Sequence, residues 1–196
     1  MPVIDVDQRS PEWFAARKGR ITASLAAAVL GIDPYRGPLS AFNEITGRTG
    51  KSEANAFQVW GAEGEAAARG AYEEETGYLA FTTGLWVHPE LPWLAASPDG
   101  LVGDDGLLEV KCPKTALPPA MPDHHRVQVA VQLACTGREW CDYFAWHPRD
   151  GHYLSRLTRD EAGIPLLLAR LNEFYQTYVL PDVAPPRRRA KQKEAV

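Results

Sequence analysis

The chain has 196 residues, of which 45% are apolar and 23% charged, values typical of a soluble globular protein with one sizeable core. No apolar run approaches the ~18 residues of a membrane span, and the N-terminus lacks the basic and apolar regions of a signal peptide. The three cysteines have no CxxC spacing, so we expect reduced cytosolic thiols rather than disulfides or a zinc site.

Charge is distributed unevenly along the chain. The formal net charge is −4, but the last ten residues carry five cations and one anion, so the rest of the chain is strongly acidic. This balance argues against broad, sequence-independent coating of duplex DNA.

A single domain is predicted over residues 1–180. The Pro-rich and basic segment 181–196 is predicted to be a disordered tail, either a solubilising end or a non-specific DNA contact.

The N-terminal third is predicted to be helical. Ser10 followed by Pro11 is typical of a helix start, and Gly19 and Gly31 are typical stops. Helices are therefore predicted over residues 10–18, 22–30, 39–46 and, after a mobile connection, 53–75.

The remainder alternates between strand and helix patterns. Strands are predicted over residues 78–86, near Trp93, and over 107–111, 140–147 and 152–157, with helices over 123–136 and 159–179. A proline-rich loop connects residue 111 to the 123–136 helix, and its length suggests a mobile segment near an active site.

The stretch 97–111 carries the strongest chemical signal. A Gly-Asp-Asp-Gly turn at 103–106 predicts a hairpin that brings Asp99 close to Glu109 and Lys111. Two carboxylates repel each other unless a cation lies between them, and Mg²⁺ prefers oxygen ligands. The competing interpretation is a polar hairpin with a surface ion pair, because three common residue types match often by chance.

A second candidate site lies between the first two helices. A helix start with a serine and a nearby arginine is a natural phosphate site, which here involves Arg17 and Ser24. The alternatives are a solvated helix end for Arg17 and an N-cap for Ser24.

Four motifs occur together and in a fixed order. They are Arg17-Lys18-Gly19-Arg20-Ile21-Thr22-Ala23-Ser24, Trp60-Gly61-Ala62-Glu63-Gly64-Glu65, Ser97-Pro98-Asp99-Gly100 followed by Glu109-Val110-Lys111-Cys112-Pro113, and the stretch 128–137. In this combination the chain resembles the PD-(D/E)XK nucleases, and within them the YqaJ-type viral recombinase and bacteriophage lambda exonuclease family. The resemblance covers roughly residues 10–145.

The resemblance implies a fold and a role for each site residue. The implied fold is α/β of the PD-(D/E)XK, restriction-endonuclease-like type, with a central mixed β-sheet flanked by helices. The implied metal ligands are Glu65, Asp99, Glu109 and the Val110 carbonyl, the catalytic residues are Asp99, Glu109, Lys111 and Gln128, and the residues for a DNA 5′-phosphate are Arg17, Ser24 and Ser97.

Two of these assignments have competitors. Glu63 is two residues from Glu65 and on a different helix face, and only the motif spacing favours Glu65. The family often carries Q-x-Q-x-x-L-x-x-T-G in the last motif, and Ala130 stands here in place of the second Gln. Whether Gln128 alone fills the role or Gln132 shares it is therefore open.

The implied function is a metal-dependent 5′→3′ exonuclease acting on linear double-stranded DNA ends in phage-type recombination. Mg²⁺ is the expected metal, with Mn²⁺ as a possible substitute. The expected partners are DNA ends, a single-strand annealing protein and, in a possible ring-shaped trimer, further copies of the chain; no membrane partner is expected. The expected location is the cytoplasm of a bacterial host carrying the phage or prophage.

Two other classes of protein stay open at the sequence level. One is an endonuclease or a RecB-like or Cas4-like nuclease of the same fold, although Cas4 needs an iron–sulfur cysteine set that three cysteines at these spacings do not supply. The other is a catalytically inactive DNA-end-binding protein. The presence of Asp99, Glu109 and Lys111 together favours an enzyme.

Overall fold

A computed structural model of the chain describes residues 3–49 and 56–187. Within these ranges the α-helices are α1 (Pro11–Arg17), α2 (Ala23–Val29), α3 (Pro38–Ile45), α4 (Ala56–Thr76), α5 (Asp123–Thr136) and α6 (Ile164–Phe174). A 3₁₀ turn, Asp160–Ala162, precedes α6, and a π-helical turn, Tyr175–Val179, continues it. Each predicted helix is thus confirmed within the described ranges.

The strands form two mixed sheets. They are β1 (Val3–Ile4), β2 (Ile21–Thr22), β3 (Ala80–Phe81), β4 (Leu85–Val87), β5 (Leu94–Ala96), β6 (Gly100–Val102), β7 (Gly106–Lys111), β8 (Trp140–His147) and β9 (Gly151–Thr158). The smaller sheet has the order β1-β4-β5-β2 and the larger one β3-β6-β7-β8-β9. Strands β2 and β5 are parallel, as are β7 and β8, whereas the other pairs are antiparallel. The predicted α/β class with mixed sheet and flanking helices is confirmed, but the strands divide between two sheets.

The single strand predicted over 78–86 is wrong, and Gly84 shows the reason. Strand β3 pairs with β6 in the larger sheet, whereas β4 pairs with β1 and β5 in the smaller one. The backbone of β1 passes so close to Gly84 that a Cβ there would lie 2.2 Å from the Ile4 carbonyl oxygen. Because only glycine allows this approach, the chain changes sheets at this point.

Strand β7 lies between two helices and is buried on both faces. Leu107 packs with Val129 and Leu133 of α5, whereas Leu108 belongs to the cluster that includes Tyr72 of α4. Each fully buried leucine contributes roughly 2 kcal/mol of hydrophobic free energy, so the register of β7 is well determined. The predicted alternation is confirmed, and it directs Glu109 toward α5.

The end of the described chain packs against the helical layer. Arg48 donates to Asp182 at 2.7 Å, and Pro185 is buried. The part of the predicted tail over 188–196 lies outside the described residues. Over 3–49 and 56–187, no helix combines the length and the apolar character needed to cross a bilayer.

Candidate active site

The β6–β7 hairpin places Asp99 beside the end of β7. The register pairs Gly100 with Leu108, and Gly103 turns the chain with a positive φ of 51°. One residue before β6, the Asp99 amide donates to the Leu108 carbonyl at 3.1 Å. The Asp99 Oδ2 in turn accepts a hydrogen bond from the Val110 amide at 2.7 Å. The sequence-predicted approach of Asp99 to β7 is therefore present.

Glu109 is the buried centre of the site, with only 1% of its surface exposed. Its Oε1 accepts hydrogen bonds from Lys111 Nζ and, at 2.6 Å, from Gln128 Nε2, and its Oε2 accepts from Gln132 Nε2. The two glutamines are one helical turn apart on α5 and share one face. Because a buried carboxylate is tolerated only when its oxygens are hydrogen-bonded, both glutamines support Glu109.

The charges of the site perturb one another. Burial and the nearby Glu109 carboxylate raise the pKa of Asp99 well above its ordinary value, although Lys111 opposes the shift. For Lys111, burial lowers the pKa, but the carboxylates of Glu109 and Asp99 outweigh it and raise the pKa above the ordinary lysine value. Lys111 is therefore held as a cation between two carboxylates, and one carboxylate lacks a full counter-charge.

Glu65 approaches this group from α4. Gly64 lies against the residue that follows Lys111, since a Cβ at Gly64 would come within 3.0 Å of the Cys112 Sγ. The Glu65 charge contributes to the raised pKa of Asp99, but the Glu65 side chain pairs with Arg9 and, at 3.7 Å, with Arg69. Glu63, its competitor, is exposed.

The donor chemistry of these residues fits a hard divalent cation. Glu65, Asp99 and Glu109 supply carboxylate oxygens, and the Val110 carbonyl projects from the same strand edge as the amide that binds Asp99. In the described ranges, however, no three His, Cys, Asp or Glu side chains are placed to hold a metal ion as they stand. Arg9 instead forms an ion pair with Glu65, and Lys111 forms one with Glu109.

The residues predicted to bind phosphate form a second cluster. The Arg17 Nη2 donates to Thr22 Oγ1 and Ser24 Oγ, both at 3.1 Å, and its guanidinium lies 4.0 Å from the Trp13 ring centroid. The Trp13 Nε1 donates to Ser97 Oγ at 2.8 Å, so the indole connects Arg17 with Ser97. We call these five residues the arginine pocket. All three predicted phosphate residues belong to it.

Arg17 has no strong counter-charge in the part of the chain that the structure describes. Burial lowers its pKa to about 10, with Glu44 opposing and Arg36 adding to the shift. No carboxylate of the described residues lies within ion-pair distance of its guanidinium. Its partners are neutral hydroxyls and an aromatic ring, which leaves the cation able to receive an anion.

Sequence reasoning missed several of these partners. Thr22, not Ser24, is the N-cap residue of α2, so the N-cap interpretation of Ser24 is wrong. Trp13 could have been found, because it lies four residues before Arg17 on the same helical face. The Arg9–Glu65 pair spans 56 residues of sequence, and no local pattern signals it.

We call Glu65, Asp99, Glu109 and Lys111 together the catalytic group, and a histidine and a tyrosine lie next to it. His125 Nδ1 and Tyr143 OH are 2.9 Å apart, and Tyr143 stands opposite Glu109 in the β7–β8 register. Burial lowers the pKa of His125 to about 2, with smaller contributions from Lys111 and His124. Both His124 and His125 lie in the first turn of α5, which begins at Asp123.

Comparison with known proteins places this geometry in a family context. The YqaJ-like viral recombinase domain matches residues 12–139. The alkaline exonuclease LHK-Exo from Laribacter hongkongensis is 36% identical with a TM-score of 0.72, covering 85% of this chain and 91% of its own. A structure of LHK-Exo in complex with dAMP gives 34% identity and the same TM-score and coverages.

Two more distant similarities add less. A phage-related exonuclease from Haemophilus somnus 129PT has a TM-score of 0.61 at 13% identity, covering 80% of this chain and 90% of its own, which supports the fold alone. An uncharacterized protein of Acanthamoeba polyphaga mimivirus is 26% identical over 156 residues. That match includes 70% of this chain but only 28% of the mimivirus protein.

Proposed function

This chain belongs to the family of YqaJ-like viral recombinase domains, and on that premise we propose that it is a metal-dependent exonuclease that degrades linear double-stranded DNA from the 5′ end in the 5′→3′ direction. The likeness to LHK-Exo, an alkaline exonuclease, supports the nuclease activity. Its structure with dAMP, a deoxynucleoside monophosphate, is in keeping with mononucleotide release.

The proposed direction of digestion is based on Arg17 of the arginine pocket, a cation without an ion-pair partner among the described residues. Arg17 can donate charge-assisted hydrogen bonds to a terminal phosphate, and the hydroxyls of Thr22 and Ser24 already converge on it at 3.1 Å. Ser97 is held toward the same cluster by Trp13. A phosphate dianion satisfies such a pocket, whereas a 5′-hydroxyl leaves Arg17 without its anion.

The pocket and the catalytic group are close along the chain. Ser97 and Asp99 are two residues apart, so their Cα atoms are separated by at most ~7 Å. Because successive nucleotides of one DNA strand rise by about 3.4 Å along the helix axis, a separation of ~7 Å spans no more than the first nucleotides of a strand. Anchoring the 5′-phosphate in the pocket would bring one of the first phosphodiesters to Asp99 and Glu109.

The residues of the catalytic group would act as follows. Glu65, Asp99, Glu109 and the Val110 carbonyl would hold Mg²⁺, or Mn²⁺ as a substitute, and the bound ion would supply charge stabilisation at phosphorus. Lys111, a cation beside Glu109, orients the attacking water and steadies charge that develops on the phosphoryl oxygens. Gln128 and Gln132 hold both oxygens of Glu109, which fixes the orientation of this ligand.

Partners are proposed by the same resemblance. We expect a single-strand annealing protein to take up the single strand that digestion exposes, and a ring-shaped trimer to enclose the duplex. Both remain predictions, as does action in the cytoplasm of a bacterial host.

The proposed function is tested with four matched digestion reactions. Linear duplex with 5′-phosphate or 5′-hydroxyl ends, covalently closed circular duplex, and linear duplex with EDTA in place of Mg²⁺ are digested by the full chain. We expect the 5′-phosphate substrate to be degraded at least about tenfold faster than the 5′-hydroxyl substrate, since an unpaired buried charge costs more than 1.4 kcal/mol. The closed circular duplex should remain undigested, and so should the linear duplex in EDTA.

The alternatives give different results. Rapid cutting of the closed circle would identify an endonuclease that shares only the metal site. Tight binding of 5′-phosphate ends without digestion in Mg²⁺ or Mn²⁺ would identify a catalytically inactive end-binding protein. Equal rates on the two linear substrates would remove the proposed role of the arginine pocket.

A further inference from the structure

Arg9 lies in a turn that is fixed next to the catalytic group. The Ser10 amide donates to the Asp7 carbonyl at 3.1 Å, and Arg9 has a left-handed backbone conformation with a φ of 70°. The preceding residue anchors the turn, because Gln8 Nε2 donates to the Pro98 carbonyl at 2.8 Å, immediately before Asp99 in the chain. The turn thereby points the Arg9 side chain at Glu65.

The left-handed conformation is unfavourable for an arginine. A residue with a Cβ disfavours this region by roughly 1 kcal/mol, whereas glycine adopts it freely. The observed geometry therefore depends on the rest of the turn and on the contact that the Arg9 side chain makes. It also means that a glycine at this position would keep the turn while removing the contact.

Arg9 is the more exposed partner of its ion pair. Its side chain is 55% exposed and that of Glu65 20%. The other cation near Glu65 is Arg69, one turn along α4 at 3.7 Å, and its Nε is buried without a hydrogen-bond partner among the described residues. Arg9 can leave Glu65 for solvent without disturbing packing, whereas Arg69 is fixed on the helix.

By formal charge, the described side chains near the site balance without a metal. Three carboxylates, those of Glu65, Asp99 and Glu109, face three cations, those of Arg9, Arg69 and Lys111. Adding a divalent ion to this group gives it an excess of positive charge, which is unfavourable in a partly buried site. Release of one cation offsets part of that excess, and Arg9 is the cation that is free to move.

We propose that Arg9 is an internal counter-cation that holds Glu65 while no metal is bound and yields this carboxylate to the divalent ion when it binds. Arg9 is thus a positioning residue that acts through Glu65. The inference rests on the proposed metal site.

The inference is tested by calorimetric titration of Mg²⁺ into the full chain without DNA. Arg9→Gly removes the competing cation and suits the left-handed backbone, so the fold should be preserved. We expect Arg9→Gly to bind Mg²⁺ about tenfold more tightly than the wild type. Arg48→Ala is the matched control, because it removes the same charge from an exposed ion pair with Asp182, and its Mg²⁺ affinity should equal that of the wild type.

A second pair of variants tests whether the effect of Arg9 on Mg²⁺ affinity depends on Glu65 or follows from the loss of any nearby positive charge. In a Glu65→Gln background, Arg9→Gly should no longer change Mg²⁺ affinity, since the carboxylate for which they compete is gone. Equal affinities of wild type and Arg9→Gly, or an Arg9→Gly effect that persists without Glu65, would overturn the inference while leaving the metal site intact. If neither protein binds Mg²⁺, both the inference and the metal-dependent function are wrong.

Discussion

The catalytic group and the arginine pocket treat charge in opposite ways. In the catalytic group both glutamates are paired: Glu109 is contacted by one cation and two amides, and Glu65 by two arginines. In the arginine pocket, the side-chain partners of Arg17 among the described residues are hydroxyls and an indole ring. The two regions are joined through Ser97, two residues from Asp99.

This difference indicates how each region would bind its ligand. A half-buried cation without an anion has affinity for a phosphate before any substrate arrives, so the arginine pocket is preformed. The catalytic group must instead exchange internal contacts for a metal ion. We infer that DNA-end recognition depends little on rearrangement, whereas assembly of the metal site depends on it.

The largest expected effect is on the catalytic side. Asp99→Asn keeps the acceptor for the Val110 amide but removes a ligand charge, and we expect activity to fall by at least about a thousandfold, or ~4 kcal/mol in transition-state free energy. Thermal stability should be equal or higher, because the raised pKa of Asp99 shows that its charge is disfavoured in the fold. Digestion at near wild-type rate would contradict the assignment of Asp99.

Lys111→Met separates the chemistry from metal binding. The methionine keeps an unbranched stem but loses the charge beside Glu109, which retains its two glutamine donors. We expect turnover to fall by roughly 10²–10⁴-fold while calorimetric Mg²⁺ binding is retained or tightened, since the cation paired with Glu109 is lost. Loss of Mg²⁺ binding in this variant would show that Lys111 instead maintains the structure of the site.

Arg17→Ala addresses the opposite region. The variant should lose most of the preference for 5′-phosphate over 5′-hydroxyl ends, about tenfold or more, because the pocket no longer offers a cation. Mg²⁺ affinity should be unchanged, since Arg17 contacts none of the carboxylates of the catalytic group among the described residues. An unchanged preference for 5′-phosphate ends in Arg17→Ala would mean that Arg17 does not recognise the terminal phosphate as proposed.

The smallest expected effect concerns stability near the catalytic group. The pKa of His125 is about 2 in the folded chain against 6.5 for an ordinary histidine. Between these two pH values the unfolded chain binds a proton at His125 that the folded chain does not bind. The free energy of unfolding therefore falls as pH decreases below about 6.5, by at most ~1.4 kcal/mol per pH unit from this residue. Urea unfolding at pH 7 and pH 5 should show a smaller loss for His125→Gln than for the wild type. Equal losses would show that His125 titrates normally.

Local patterns account for much of the fold. The Gly-Asp-Asp-Gly turn and the alternation of Leu107 to Lys111 were sufficient to predict the hairpin and the direction of Glu109, because turn chemistry and a period of two act over a few residues. The same applies to α5, whose i, i+4 spacing puts Gln128 and Gln132 on one face. The division of 78–86 between two sheets was not predictable, since it depends on β1 crossing Gly84 from the other end of the domain.

The candidate site divides along the same line. Short-range patterns were enough to place Asp99 near Glu109 and Lys111, and Arg17 near Ser24, because each set lies within one hairpin or one helix pair. Other contacts were visible only in the folded chain: both glutamines bind Glu109, Trp13 reaches Ser97 across 84 residues, and Glu65 is paired with Arg9. These contacts join segments far apart in sequence, and their geometry follows from how the helices pack on the sheets rather than from any local preference of the chain.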